Sequence, residues 1–230
     1  MDPLRVFIGF DHRESQAYHV LVHSLVRHSS IPLAIIPLVQ SQLRMTKKYW
    51  RERSDLESTD FSLTRFLVPH LSNFQDISIF MDCDMLCRAD IMQLLAYPLA
   101  YPDKAVFVAK HDYVPQTGRK FFNQVQTPYA RKNWSSLMVF NNHLCKPLTL
   151  NYVNHTQGLA LHQFQWLEDA QIGELPLGWN WLVGEYPPNE EAKMLHYTLG
   201  TPCIEEYKNC EQADLWHDEA GMIPLIPMRV

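Results

Sequence analysis

The sequence predicts an α/β fold with a mainly parallel sheet flanked by helices, and three observations carry that reading. Short apolar runs of strand character alternate with helical patterns from the N-terminus onward, as in successive βαβ units. The run ISIFM at 77–81 is apolar throughout rather than alternating, as expected of a strand covered on both faces. It leads directly into Asp82-Cys83-Asp84, and residues just past a parallel strand are where such sheets hold ligands.

Taken in order, RVFIGF at 5–10 reads as the first strand, stopping in a loop at Gly9-Phe10-Asp11. Ser15 opens a helical pattern with Tyr18, Leu21, Val22 and Leu25 at i, i+3, i+4 and i+7. LAIIPLV at 33–39 is a second strand, and Pro37, which lacks an N–H, points to a sheet edge or a bend. The polar, basic stretch around Lys47 and Lys48 predicts a loop with a short helix. From 61 to 71, Phe61, Phe66, Leu67 and Leu71 fall on one helical face, closed near Ser72 and Asn73. After the third strand at 77–81, Asp90 is a candidate N-cap for a short helix at 91–96. Strands follow at 105–109 and 136–140. The last third is less regular and dense in Trp, Tyr and Pro. Its apolar tail, Ile223 to Pro227, is expected to dock on the core rather than on a partner, the other reading open to it. With no repeat, low-complexity tract or linker, one domain spanning 1–230 is expected.

Composition narrows the function classes. A net charge of −5, without runs of like charge, argues against a general nucleic-acid binder. An anionic ligand would need local help from a metal, an arginine or helix N-termini. The first residues show no signal-peptide pattern, and no apolar stretch reaches the about 18 residues of a membrane span. Five scattered cysteines, without paired CxxC spacing, argue against structural zinc and fit a reduced, cytoplasmic setting. Cys83 lies in the predicted strand and reads as a buried thiol. Nothing in the sequence sets an oligomeric state.

The Asp82-Cys83-Asp84 motif carries the chemistry. Strand alternation aims both carboxylates to one side and Cys83 to the other. Carboxylates so close repel unless a cation or protons intervene. Their hard oxygens suit Mg²⁺ or Mn²⁺, with positions left for phosphate oxygens. The bland alternative is an acidic loop capping the next helix, which the preceding apolar strand disfavours. A dehalogenase-like phosphatase would carry its aspartate on the first strand, with Thr or Val where this chain has Leu86. A nucleotidyltransferase of related fold would open with a glycine-rich, basic loop, whereas Gly9-Phe10-Asp11-His12-Arg13 has one glycine.

Beyond that motif, an ordered set of segments resembles the GT-A fold glycosyltransferases, closest to the glycogenin-like family 8 of retaining enzymes. VFIGFD resembles their first strand, which receives the nucleoside. SLTRFLVPHL and ISIFMDCDMLCRADI resemble the arginine-bearing helix, strand and DxD. NWSSLMVFNN resembles the segment closing over the donor sugar, and LPLGWNWLVG with MLHYTLGTP the late strand region ending in a ligand histidine. The resemblance implies a single GT-A domain with a Rossmann-like sheet. It also implies a Mn²⁺ or Mg²⁺ ion, a nucleotide-sugar donor, UDP-linked, and a hydroxyl-bearing acceptor glycosylated with retention. It makes Asp82 and Asp84 metal-binding and catalytic, Asp82 also near the ribose, and His196 the third ligand. Imidazole suits Mn²⁺, although among eleven histidines only the HYTLG context singles out His196. Gly9, Asp11 and Arg13 would meet the donor, Asp11 at uracil or ribose and Arg13 at a phosphate. From the residues alone, Asp11 reads equally as a turn or cap residue, and Arg13 as the partner of Glu14 or another acid. Arg65 reads alone as a solvated helix residue, and by resemblance as a catalytic, donor-contacting one.

The chain departs from that pattern in three places. Gly200 stands four residues after His196, followed by Thr201-Pro202-Cys203, with no lysine until Lys208. Backbone N–H groups at Gly200 and Thr201 can still cradle a phosphate, and Lys110 or Arg13 are candidates for the missing cation. Asn133-Trp134-Ser135-Ser136 replaces Asn-Ala-Gly, so Ser135 lines an altered donor pocket and the sugar need not be glucose or galactose. The family's Asp-Gln-Asp corresponds to His162-Gln163-Phe164, or Asp169 takes that part, which makes Gln163 and Asp169 catalytic candidates. No nucleophile or general base emerges, which fits same-face substitution assisted by the leaving phosphate. Trp166, Trp179, Trp181 and Tyr186 read mainly as core, with one or two left to stack on an acceptor sugar.

Overall fold

The computed structural model describes residues 2–53, 57–113, 119–120, 124–125 and 129–223; the apolar tail from Pro224 lies outside them. Strand β1 (Leu4–Phe10), helix α1 (Ser15–His28) and strand β2 (Leu33–Val39) open the chain, followed by α2 (Gln40–Met45). The short α3 (Val68–Leu71) leads into β3 (Ile77–Met81) and β4 (Met85–Cys87). Next come α4 (Ala96–Ala100), β5 (Val106–Ala109) and the two-residue pair β6 (Arg119–Lys120) and β7 (Gln124–Val125). β8 (Leu137–Asn141), α5 (Leu150–His155), α6 (Gly158–His162) and β9 (Ile172–Leu175) follow. β10 (Trp181–Leu182), β11 (Met194–His196) and α7 (Ala213–Gly221) complete the described chain.

The central sheet has six strands in the order β2-β1-β3-β8-β5-β9. β2 is the edge strand, as Pro37 requires, and pairs in parallel with β1, which pairs in parallel with β3. β5 and β9 are also parallel. β8 alone is reversed, antiparallel to both β3 and β5. Its start therefore lies against the carboxyl ends of its neighbours: Leu137 pairs with Met81, and Asp82 N donates to Ser136 O at 2.9 Å. The residues before β8 thus sit at the sheet edge where ligands bind. β3, β5 and β8 are buried on both faces (Ile79, Phe80, Val106, Val108, Met138 and Phe140 among others), and each such side chain contributes about 1.5–3 kcal/mol through burial.

A second sheet, β10-β11-β4, forms from three very short strands. Antiparallel pairing of β11 with β4 puts His196 opposite Met85, and Tyr197 N donates to Asp84 O at 2.9 Å. This ladder brings a histidine more than a hundred positions away to the Asp-Cys-Asp turn. Behind it, Val20, Leu86, Val183, Leu195, Tyr197 and Trp216 form a smaller apolar cluster between α1 and α7.

Three local expectations change. The helix expected at 61–71 is a turn, a 3-10 segment (Thr64–Leu67) and the single-turn α3. Pro69 has no N–H to bond the Arg65 carbonyl, so a continuous helix cannot run through it. Cys83 is in a turn, not a strand, although its thiol is fully buried. The buried face of α1 centres on Ala17, Val20, Leu21, Ser24 and Leu25, with Tyr18 and Val22 half-buried. Asp90 caps the following helical segment as expected, accepting from Met92 N at 3.0 Å.

Candidate functional site

Asp82 leaves β3 directly and Asp84 ends the turn into β4, so both carboxylates emerge at the carboxyl edge of the central sheet. One ligand atom from each of Asp82, Asp84 and His196 lies within 4.8 Å of the other two. Divalent-cation bonds of about 2.1 Å span such separations with small side-chain rotations. His196 Nε2 is 3.3 Å from Asp84 Oδ1, with side-chain exposures of 2% and 11%. Burial at this level strengthens the repulsion between the two carboxylates. Arg65 offsets part of it: its guanidinium is buried and 2.9 Å from Asp82 Oδ1. The same group donates to Ser135 O at 2.9 Å and packs over Phe61 and Phe80. Arg65 is therefore no solvated surface arginine, because the broken helix turns it inward.

The histidine's tautomer follows from its neighbours. Asn180 Nδ2 donates to Ser136 Oγ (2.8 Å) and Asn133 O (3.1 Å), which points Asn180 Oδ1 at His196 Nδ1, 2.9 Å away. His196 Nδ1–H donates to that oxygen, which leaves Nε2 as the ring nitrogen directed at Asp84. A ring nitrogen held in this way is the usual outer partner of a metal-binding imidazole. Two carboxylates and an imidazole nitrogen within reach of one another make a donor set suited to Mn²⁺ or Mg²⁺. Asn180 is a residue the sequence reading missed: its only local signal is the polar position inside LGWNW. The buried Cys83 thiol takes no part; burial, then the acids around it, push it well above its ordinary value.

The other expected residues fall into three groups. At the end of β1, Asp11 accepts from Arg13 Nε (2.9 Å), Nη2 (2.5 Å) and backbone N (3.0 Å), and from Asp60 N (3.2 Å). Burial pushes the Asp11 carboxyl up, but the Arg13 and backbone hydrogen bonds outweigh it and hold it below its ordinary value. Gly9 is required here by space, since a Cβ would run into the Phe61 ring. Just before β8, Ser135 Oγ is 2.8 Å from His162 Nδ1, and Lys110 and Arg131 both pack on Trp134. Gln163 and Asp169 share a separate cavity of about 410 Å³, joined through Arg131, which donates to Gln163 O and Asp169 Oδ1. Gly200 packs its bare Cα against Tyr207, and the Thr201 hydroxyl contacts Cys203 Sγ at 3.0 Å.

Known structures share this architecture. The glycosyltransferase GlyE of Streptococcus pneumoniae TIGR4 superposes with a TM-score of 0.63 at 15% identity, over 96% of this chain and 61% of that one. The chain thus spans less than two thirds of GlyE's length. The galactosyltransferase LgtC, in complex with donor and acceptor sugar analogs, matches with a TM-score of 0.62 at 11% identity, over 98% of each chain. The fold is that of the GT-A glycosyltransferases. No family model matches the sequence. Protein CDI of Arabidopsis thaliana is 47% identical over 224 residues, 94% of this chain and 86% of that protein. The chain belongs to the family of Protein CDI. Among the described residues, no helix is long and apolar enough to cross a membrane.

Proposed function

We propose that the chain is a metal-dependent glycosyltransferase, a single catalytic domain that moves a sugar from a UDP-sugar to an acceptor hydroxyl with retention. The observation that carries this reading is the convergence of Asp82, Asp84 and His196 at the carboxyl edge of β3, within a fold shared with LgtC, whose structure holds donor and acceptor sugar analogs. Asp82, Asp84 and His196 would hold Mn²⁺ or Mg²⁺, which supplies Lewis-acid stabilisation of a departing diphosphate. Arg65 fixes Asp82 and adds positive charge beside the diphosphate. Ser135 and Ser136, tied to Arg65 and Asn180, set the wall of the donor pocket. Asp11 and Arg13 form a preassembled rim at the end of β1, offering guanidinium edge and backbone rather than a bare carboxylate to a nucleoside. In the Gly200-Thr201 turn the Gly200 N–H is engaged by Tyr197 O at 2.9 Å, so the Thr201 N–H is the one that would meet a phosphate. Gln163 and Asp169, in the cavity that Arg131 also lines, would meet the acceptor. Five free cysteines, three of them buried, fit a cytoplasmic enzyme.

The test is UDP release from a panel of UDP-sugars in the presence of Mn²⁺. Slow hydrolysis of one donor, abolished by EDTA and by Asp84→Ala, is expected. Anomeric NMR of the transferred product then reports retention. Turnover of phosphomonoesters with no cleavage of any nucleotide-sugar would replace this reading with a phosphohydrolase.

A further inference from the structure

At the carboxyl end of β5 the chain buries a polar atom that the metal site does not use. His111 is 5% exposed, its Nδ1 is 3.0 Å from Tyr186 Oη, and its Nε2 is buried without a hydrogen-bond partner among the described residues. Native structures rarely leave such an atom unsatisfied, because its desolvation penalty then stands uncompensated. The His111 backbone and the neighbouring Tyr113 are tied down as well. Trp134 Nε1 donates to His111 O at 2.9 Å, and Asn133 Nδ2 donates to Tyr113 Oη at 2.7 Å. Both ties run to the segment that also serves Asp82 and Asn180, so His111 is anchored beside that site.

The surroundings define what could meet Nε2. Tyr113 and Tyr186 stack edge-on or tilted around His111, with ring centroids 6.2 and 5.7 Å away, and Trp181 lies 5.1 Å from Tyr186. Burial, with His196 close by, pushes the imidazole down to about 3, so it is neutral at any ordinary pH. Burial also raises both tyrosines, with the charges of Glu185 and Asp112 adding to it, so both remain phenols. Carboxylates near this aromatic box disfavour a phosphate. Aromatic faces with neutral polar tips instead match a sugar, whose C–H faces pack on rings while its hydroxyls find donors and acceptors.

We propose that His111 determines donor specificity by donating a hydrogen bond from Nε2 to a hydroxyl of the transferred sugar, with Tyr186 fixing the tautomer by donating to Nδ1. This rests on the glycosyl-transfer reading above. The sugar, not the nucleotide, is the group recognised, so His111 adds to affinity for the UDP-sugar and not for UDP.

Calorimetry on the full chain with Mn²⁺ tests this with two probes: UDP, and whichever of UDP-glucose, UDP-galactose and UDP-N-acetylglucosamine binds the wild type best. His111→Phe should weaken the UDP-sugar by about tenfold, the effect of one neutral hydrogen bond, and UDP by less than about twofold. His111→Gln, which keeps an N–H, should recover most of the loss. Tyr186→Phe should fall between wild type and His111→Phe. ¹⁵N NMR of the wild-type histidines supplies a readout that needs no variant: the His111 Nε2–H resonance should move with UDP-sugar and stay with UDP. Equal affinities in wild type and His111→Phe would mean that water satisfies the atom, and would overturn the proposal alone. Equal losses for UDP and UDP-sugar, with a lower Tm, would make His111 structural and overturn it as well. A wild type that binds neither probe overturns the glycosyl-transfer reading and this proposal together.

Discussion

Asp11 follows β1 and Asp82 follows β3, and these strands are neighbours paired in register, Ile8 opposite Met81. The two aspartates nevertheless have opposite fates. Asp11 is clasped by its own chain, with Arg13 and two backbone N–H groups on its oxygens. Asp82 shares its corner with a second carboxylate, a histidine and the Arg65 guanidinium. The first corner is closed by hydrogen bonds within the chain, whereas the second gathers two carboxylates and an imidazole whose ligand atoms lie close enough to share a divalent cation. Position at the carboxyl end of a parallel strand is therefore not enough to make a ligand site; the side chains gathered beside the aspartate decide it.

The largest test of that contrast is Arg65→Leu. It removes the cation from a buried carboxylate and should cost about 3 kcal/mol, because an uncompensated buried charge remains. For a chain of this size that is a fall in Tm of about 6–12 °C, smaller with saturating Mn²⁺. A melt within about 2 °C of wild type would show that Asp82 is not balanced by Arg65. Asn180→Leu acts more subtly. Without its Oδ1 the His196 tautomer is free, and Mn²⁺ affinity should fall by about 10–100-fold while Asp82 and Asp84 stay in place. Unchanged affinity would remove His196 from the ligand set.

The smallest expected effect belongs to the closed corner. Asp11→Asn should cost about 2 kcal/mol at pH 7, the strength of charge-assisted hydrogen bonds. The folded carboxyl is held below the unfolded value of about 3.9, so its contribution is complete above that value and is lost as pH falls through the lower, folded one. Chemical denaturation from pH 7 down to pH 2 should therefore show wild type and Asp11→Asn converging at the acid end. A constant gap across that range would mean that packing, not charge, holds Asp11.

Much of this was legible in the sequence, for identifiable reasons. β1, β3, β5 and β8 are continuous apolar runs, and such runs announce themselves without alternation. The Asp82-Cys83-Asp84 turn stood out because it ended one of them. The reversal of β8 was not legible, since a strand buried on both faces reads alike in either direction; yet that reversal delivers Ser135 and Ser136 to the site. β4 and β11 are three residues each, too short for any periodicity, so the ladder that carries His196 to Asp84 left only the resemblance to point at the histidine. Asn180 reaches the site through tertiary partners, and its one local signal, a polar position inside LGWNW, does not say what it holds. For Arg65, the turn at Pro69 converted an apparently outward helical position into a buried one.

The most direct measurement of the central claim is calorimetric titration of UDP into the wild-type chain and into Asp84→Ala, each with and without Mn²⁺. The account predicts UDP binding that requires Mn²⁺ and weakens by at least about a hundredfold in the variant, the loss expected when a metal ligand is removed. UDP binding that ignores Mn²⁺ and survives Asp84→Ala unchanged would contradict it.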